Sequence, residues 1–169
     1  MADIIEDSPY LAVSINEVKQ FLHVDDESFN EALTNHIKLA TRFIERMLGR
    51  SFLMKTYSYV WKRKAQADLY QVIKMPMIPV KSIVNIVDKT TQSRIRRFTL
   101  ELNRYICINE GHDYVEFVFK AGMVEHPKDL DTEYKNLICM VVQAFFEDQD
   151  IETHPCMKVL KCYKENLCM

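Results

Sequence analysis

Cysteine and histidine, the residue types that most often carry chemistry, are scattered along this sequence. The five cysteines are Cys107, Cys139, Cys156, Cys162 and Cys168. None of them forms a CxxC pair, and the last three are spaced six residues apart, so they do not share a helical face well. A zinc site needs three or four converging ligands, and a cysteine nucleophile needs a nearby base. The spacing therefore favours ordinary reduced thiols in a cytosolic setting, with no metal site.

Glycine and acidic residues also lack a catalytic pattern. The three glycines, Gly49, Gly111 and Gly122, are too far apart to form a phosphate-binding loop. The acidic runs "VDDE" and "EDQD" are typical of solvated helix ends. We therefore predict a protein without catalytic residues or cofactors that makes contacts with other proteins. A small enzyme of unrecognised type is the third-ranked alternative.

Arg94, Arg96 and Arg97 form a cluster that suits the phosphate backbone of nucleic acid. Only Phe98 offers a stacking ring nearby, so a solvated loop is the favoured interpretation. Residues 51–120 carry twelve basic and six acidic residues, whereas the segments before and after them are acidic. A nucleic-acid-binding protein that uses this basic middle segment is therefore the main alternative to a protein-contact domain.

The composition is that of an ordinary globular domain. The chain has 169 residues, 48% of them hydrophobic, and a formal net charge of −2. One domain spanning 1–169 is expected at this length. The longest apolar run, "LICMVVQAFF", is too short to span a bilayer, and the N-terminal residues lack the pattern of a signal peptide. No membrane association is predicted.

The segment 14–49 is predicted to be helical. Ser14 and Glu17 have the spacing of a capping box for a first helix. Asp25 or Asp26 caps a second helix, which ends at Gly49. That helix has two apolar stripes. We expect the first stripe to be buried within the subunit: Phe29, Leu33, Ile37 and Ile44. We expect part of the second to face a neighbouring subunit or the β-rich segment: Leu39, Phe43 and Met47. The alternative is that both stripes pack inside one core.

Residues 52–120 are predicted to be rich in β-strands. "TYSYVW" and "VKSIVNIV" have the composition of strands, and "RYICIN" and "YVEFVF" are predicted to form a hairpin. Gly122 and Pro127 then form a structural junction, in which Gly122 offers a positive φ and Pro127 keeps His126 extended. Asp129 is predicted to cap an apolar helix, and Pro155 to begin a short last helix, so that 129–167 is helical. The fold class is α+β, a mainly helical bundle of about four helices with a β-rich insertion between the second and third long helices.

The chain resembles the head–tail connector (adaptor, or head-completion) family of tailed bacteriophages in four segments. The first, "VSINEVKQFLHVDDESFNEALTNHIKLATRFIERMLGRSF", is similar to the family's capped short helix, acidic break and long helix. "MPMIPVKSIVNIV" is similar to its proline pair and strand. "VFKAGMVEHPKDLDTEYKNLICMVVQAFFED" is similar to its strand, Ala-Gly turn, proline and buried helix. "HPCMKVLKCYKENL" is similar to its terminal segment, although it has "KCYK" where proline and arginine are common.

This resemblance implies a structural virion protein of a phage, prophage or gene-transfer agent, with no catalysis and no cofactor. Such subunits assemble, usually as twelve, into a ring that docks under the portal protein and extends the DNA channel. The ring receives a stopper or tail-completion protein, and DNA passes through it without sequence-specific binding. The subunit is expected in the host cytoplasm during assembly, as a monomer in some cases, and then in the virion at the head–tail junction.

The resemblance also implies roles for particular residues. The terminal segment of the family tends to dock on the portal. The corresponding residues here are Met157, Leu160, Lys161, Tyr163 and Lys164. A second interpretation, which the sequence supports equally well, is that this helix closes the core of its own subunit. The expected subunit interface consists of Leu39, Phe43 and Met47. The expected DNA-channel or loop contacts are made by Arg94, Arg96 and Arg97.

Overall fold

Four helices and eight strands make up the fold in the computed structural model, which describes residues 2–63, 71–108 and 111–166. The helices are α1 (Ile15–Leu22), α2 (Asn30–Leu48), α3 (Thr132–Phe146) and α4 (Cys156–Asn166). The strands are β1 (Ala2–Glu6), β2 (Lys55–Lys62), β3 (Gln71–Lys74), β4 (Val80–Asp88), β5 (Ser93–Arg94), β6 (Phe98–Glu101), β7 (Tyr105–Ile108) and β8 (Tyr114–Ala121). The predicted α+β class is confirmed. Cys168 and the predicted helix end at residue 167 lie outside the described residues.

The chain divides into two units, each built from two separate stretches of sequence. The strand-rich unit comprises Met1–Ser8 and Gly49–Met123. The helical unit comprises Pro9–Leu48 and Val124–Met169. Each unit has its own set of buried apolar side chains.

Two antiparallel sheets build the strand-rich unit. The larger sheet has the strand order β1-β2-β8-β4-β5, and the smaller has the order β3-β7-β6. The core of the strand-rich unit combines residues from both sheets. It includes Phe117 and Phe119 of β8 and Ile106 and Ile108 of β7. Buried and more exposed side chains alternate along β8, as predicted for "YVEFVF". The predicted hairpin of β7 with β8 is wrong, because β7 pairs with β3 and β6 while β8 pairs with β2 and β4.

The helical unit begins with the predicted capping box. The Ser14 hydroxyl accepts a hydrogen bond from the Glu17 N–H, and the Glu17 carboxylate accepts one from the Ser14 N–H at 2.8 Å. Asp26 caps a short 3₁₀ turn (Glu27–Phe29) that leads directly into α2. Gly49 follows α2 with φ +65, the left-handed conformation expected at a helix C-terminus.

Helix α3 is capped by Asp131, which accepts from the Glu133 N–H, and not by Asp129 as predicted. Asp129 lies instead in a 3₁₀ turn (Pro127–Asp129), so the chain needs two further residues before the helix begins. Pro127 is in the first position of that turn, and His126 before it is extended, as predicted. None of the helices in the described residues is long and apolar enough to cross a membrane.

Candidate interaction surfaces

A groove on the helical unit exposes apolar side chains of α2. It has a volume of about 540 Å³. Its lining residues are His36, Leu39, Arg42, Phe43, Arg46, Phe145, Asp148 and Gln149. Leu39 is 55% exposed, an unusual position for a leucine on a helix whose other face is fully buried. The groove therefore has an apolar floor with charged residues around it.

The helical repeat explains why α2 has both a core face and a groove face. Leu33, Ile37, Ala40 and Ile44 recur at intervals of three or four residues and are fully buried, which confirms the core position of three residues of the first predicted stripe. Phe29, the fourth, is 39% exposed, so its predicted burial is wrong. It lies in the 3₁₀ turn before the helix, where its ring contacts Phe146 edge-on at 5.4 Å.

The second predicted stripe is divided between the groove and its surroundings. Leu39 and Phe43 line the groove, whereas Met47 is half-buried outside its lining. The Phe145 ring forms the floor, at 6.5 Å from the Phe43 ring and 6.3 Å from the His36 ring, measured between centroids. Phe145 and Asp148 were not among the predicted interface residues, because nothing in the sequence indicates that the end of α3 lies beside the middle of α2.

The charges around the groove have opposite signs at different points. Arg42 and Arg46 are exposed on α2, and Asp148 is exposed just after α3 with φ 51. The His36 Nδ1 atom is buried and has no hydrogen-bond partner among the described residues. A partner with an apolar side chain flanked by an acid and a base would match these features.

The three predicted arginines lie at one edge of the larger sheet. Arg94, Arg96 and Arg97 are all exposed, and Ile95 between them is buried. The Arg94 guanidinium donates to the Val84 carbonyl at 3.4 Å. The buried isoleucine anchors this segment, so that the arginines present positive charge to solvent.

Helix α4 packs its apolar face against α2 and α3, within the helical unit. Cys156 and Leu160 are fully buried, and the Tyr163 hydroxyl donates to the Glu133 carboxylate at 2.8 Å. That hydrogen bond, followed by burial and the charge of Glu133, raises the pKa of Tyr163 to about 12. Leu160 therefore closes the core, which favours the second of the two interpretations left open for this helix. Lys158, Lys161 and Lys164 remain exposed along the opposite edge.

Gly122 at the structural junction is needed for a different reason from the predicted one. A positive φ occurs at Gly49 but not at Gly122. Instead, a Cβ at position 122 would lie 2.5 Å from the Met54 Cα and 2.7 Å from the Leu53 carbonyl carbon. The Gly122 N–H donates to the Pro79 carbonyl at 3.1 Å. Glycine therefore allows the end of β8 to approach the residues before β2 closely.

The buried Asp88 and the partly buried His112 form a pair in the strand-rich unit that no local sequence pattern indicated. The Asp88 carboxylate lies 2.7 Å from the His112 Nδ1 atom and accepts hydrogen bonds from the N–H groups of Thr90 and Thr91. Burial raises the pKa of Asp88, but these hydrogen bonds from His112 and from the threonine N–H groups lower it on balance. The pair fastens the turn between β4 and β5. No group of three potential metal ligands occurs in the described parts of the chain.

Solved structures of phage-like particles contain chains with the same fold. One is in the neck of an empty gene transfer agent (GTA) particle computed with C6 symmetry, with a TM-score of 0.72 and 15% identity over 97% of this chain and 95% of that one. Another is in the neck of the native GTA particle computed with C12 symmetry, with a TM-score of 0.70 and 14% identity over 97% and 94%. A third, in the virion of the native GTA particle, has a TM-score of 0.69 and 17% identity over 97% and 95%.

These likenesses define an α+β protein with the fold of a particle subunit. Residues 12–94 match the family model described as the phage gp6-like head-tail connector protein. This match covers just under half of the chain and agrees with the resemblance to the head–tail connector family seen in the sequence. Head–tail connectors are structural proteins and not enzymes. A comparison with curated proteins gives no match.

Proposed function

We propose that this chain is a subunit of a ring at the head–tail junction of a phage-like virion. The observation that carries the proposal is the fold that 97% of the chain shares with a protein in the neck of a GTA particle. In this role the ring docks under the portal, extends the DNA channel and receives a stopper or tail-completion protein. The strand-rich segment between α2 and α3 is then an insertion into a helical body.

Ring closure requires two different surfaces on each subunit, because a heterologous contact that repeats through a fixed rotation generates a cycle. The groove with Leu39 and Phe43 supplies one such surface, and Met47 beside it extends the contact. The C12 symmetry used for the similar neck supports twelve copies. Before assembly the subunit is present in the host cytoplasm, where it is a monomer until it meets the portal.

The C-terminal helix supplies the portal contact in this proposal. Because Leu160 is buried, the docking surface uses the exposed Lys161 and Lys164 together with the half-buried Met157 and Tyr163. Lysines on such an edge attract an acidic partner surface and increase the rate of association. The portal is therefore expected to present carboxylates to this helix.

DNA passing through the ring meets the cationic edge formed by Arg94, Arg96 and Arg97. Their exposure supports contacts with phosphates, which carry no sequence information. The same exposure favours the alternative function, a nucleic-acid-binding protein. A salt-sensitive mobility shift of DNA by the isolated monomer would support that alternative, and its loss in the Arg94→Gln/Arg96→Gln/Arg97→Gln variant would identify the surface.

Co-sedimentation with the portal of the same particle tests the main proposal. The purified chain is expected to pellet with portal rings in a fixed ratio, and electron microscopy of the pellet is expected to show a second ring beneath the portal. The Lys161→Glu/Lys164→Glu variant should fold normally and bind at least tenfold more weakly. A chain that never pellets with portal, and that mass spectrometry does not find in purified particles, would overturn the proposal.

A further inference from the structure

Leu102 is the most exposed large apolar side chain among the described residues, at 87%. Leu102 and Asn103 are the two central residues of the turn that joins β6 to β7, and both have positive φ, 50 and 52. Such turns favour Asn-Gly because residues with a Cβ are strained there. A leucine at this position contributes nothing to the core of its own chain and is unfavourable for the turn. Its contact is therefore to be sought on another molecule.

The turn that carries Leu102 is firmly held. The Arg104 N–H donates to the Glu101 carbonyl at 3.0 Å and closes the turn. The Met75 N–H donates to the Arg104 carbonyl and the Val80 N–H to the Asn103 carbonyl, both at 2.8 Å. A projection fixed in this way loses little conformational entropy when it binds. Residues Glu101–Arg104 are called the tip below.

The charges of the tip match those of the groove on α2 and α3. Glu101 precedes Leu102 and is exposed, and Arg104 follows it and is half-buried. The groove has exposed Arg46 on one element and exposed Asp148 on another, around the apolar floor that includes Phe145. The tip therefore presents an apolar side chain flanked by one acid and one base. The groove presents an apolar floor flanked by one base and one acid, so each charge of the tip can face an opposite charge of the groove.

We propose that the tip of one subunit inserts Leu102 into the groove of a second copy of this chain. Leu102 packs on Leu39, Phe43 and Phe145, while Glu101 pairs with Arg46 and Arg104 with Asp148. The partner is assigned as a second copy because this chain itself supplies both the exposed apolar tip and a groove with an apolar floor and matching charges. Tip and groove are different surfaces, so the contact is heterologous and repeats around a ring. This inference deepens the proposed ring function and rests on it.

Photo-crosslinking of the purified full-length chain tests the contact directly. A Leu102→p-benzoylphenylalanine variant is mixed with a ¹⁵N-labelled wild-type copy in the presence of portal rings and irradiated. Mass spectrometry is expected to find crosslinks from position 102 to labelled peptides that contain residues 39–46 or 145–149. The matched control is Gln92→p-benzoylphenylalanine, since Gln92 is another exposed turn residue with positive φ. Crosslinks from position 102 only to other peptides, none at all, or equal groove labelling from position 92 would overturn the contact.

Charge reversal provides a second, independent measurement. In the photo-crosslinking assay, Glu101→Arg on the tip is expected to reduce the yield at least fivefold with a wild-type groove. An Arg46→Glu groove on the labelled copy is expected to restore most of it. Absence of rescue, with both variants folded by circular dichroism, would exclude the Glu101–Arg46 pair. Portal co-sedimentation separates the two proposals: a chain that binds portal but does not crosslink through the groove retains its connector function and loses this interface.

Discussion

The backbone of Gly122 lies directly against the backbone of Met54. A Cβ at position 122 would meet the Met54 Cα at 2.5 Å and the Met54 nitrogen at 2.6 Å, closer than side-chain carbons are found to backbone atoms. Because both neighbours are backbone atoms, no side-chain rotation relieves the contact. The strand-rich unit must therefore shift its backbone to accept any other residue at this position.

Gly122→Ala is accordingly expected to lower the free energy of unfolding by about 1–3 kcal/mol, the usual cost of overpacking. Gly49→Ala is the matched control, because its nearest atom, the Pro76 carbonyl oxygen, is 3.4 Å away and only its positive φ is unfavourable. That change should cost about 1 kcal/mol, and Gly49→Asn less, since asparagine tolerates the left-handed conformation. Urea denaturation measures all three. A Gly122→Ala variant as stable as wild type would contradict the close approach.

On α2, Leu33 is expected to stabilise the fold, whereas Leu39 is expected to contribute to ring formation. Leu33 is fully buried, so Leu33→Ala should lower the free energy of unfolding by about 2–5 kcal/mol. Leu39 is half-exposed, so Leu39→Ser should change it by no more than about 0.5 kcal/mol. Only the second variant should fold well and yet fail to form rings with the portal. Thermal denaturation and portal co-sedimentation separate the effects, and equal destabilisation by both changes would mean that Leu39 belongs to the core.

The Asp88–His112 pair is expected to make stability depend on pH in the acid range. The pKa of Asp88 is below its usual value of 3.8 in the folded chain, so its contribution is present above the unfolded pKa and is lost as pH falls through the folded one. Asp88→Asn should lower the free energy of unfolding at pH 7 by about 1–3 kcal/mol. The difference between wild type and variant should then shrink below about pH 4. Urea denaturation at several pH values tests this, and parallel curves would show that Asp88 does not titrate as described.

Thiol labelling is expected to report how firmly α4 is packed. Burial raises the pKa of Cys156 and, with a smaller contribution from Glu17, raises that of Cys139 to about 11. Both thiols should therefore react slowly with iodoacetamide, whereas the exposed Cys162 should react at once. In a Cys162→Ser/Cys168→Ser background, Cys156 on α4 should be labelled as slowly as Cys139 on α3. Much faster labelling of Cys156 would instead support a helix that detaches readily until it meets a partner.

Local signals made much of the fold predictable. The Ser14–Glu17 capping box, the end of α2 at Gly49 and the alternation in β8 depend on residues close in sequence, and the structure contains all three. Strand pairing depends on distant residues, which explains why β7 was assigned to the wrong partner. The short strand β1 was missed, because its partner β2 begins about fifty residues later.

The candidate surfaces were predictable only where one element carries them. Helical periodicity indicated Leu39 and Phe43 as residues outside the main core stripe, and both line the groove. Phe145 comes from another helix, and no single-helix pattern indicates that it forms the floor. Gly122 was singled out for an expected local turn, but the constraint on it is tertiary: the proximity of Met54.

The interleaving of the two units along the chain has a consequence for synthesis on the ribosome. The helical unit begins at Pro9 and resumes only at Val124, so α2 is made well before α3 can cover it. During that interval the buried face of α2, with Leu33, Ile37 and Ile44, has no partner from α3 or α4. Loop-closure entropy delays contacts between such distant segments. The nascent chain should thus expose an apolar helix face to chaperones for most of its translation. Expression at lower temperature should raise its soluble yield.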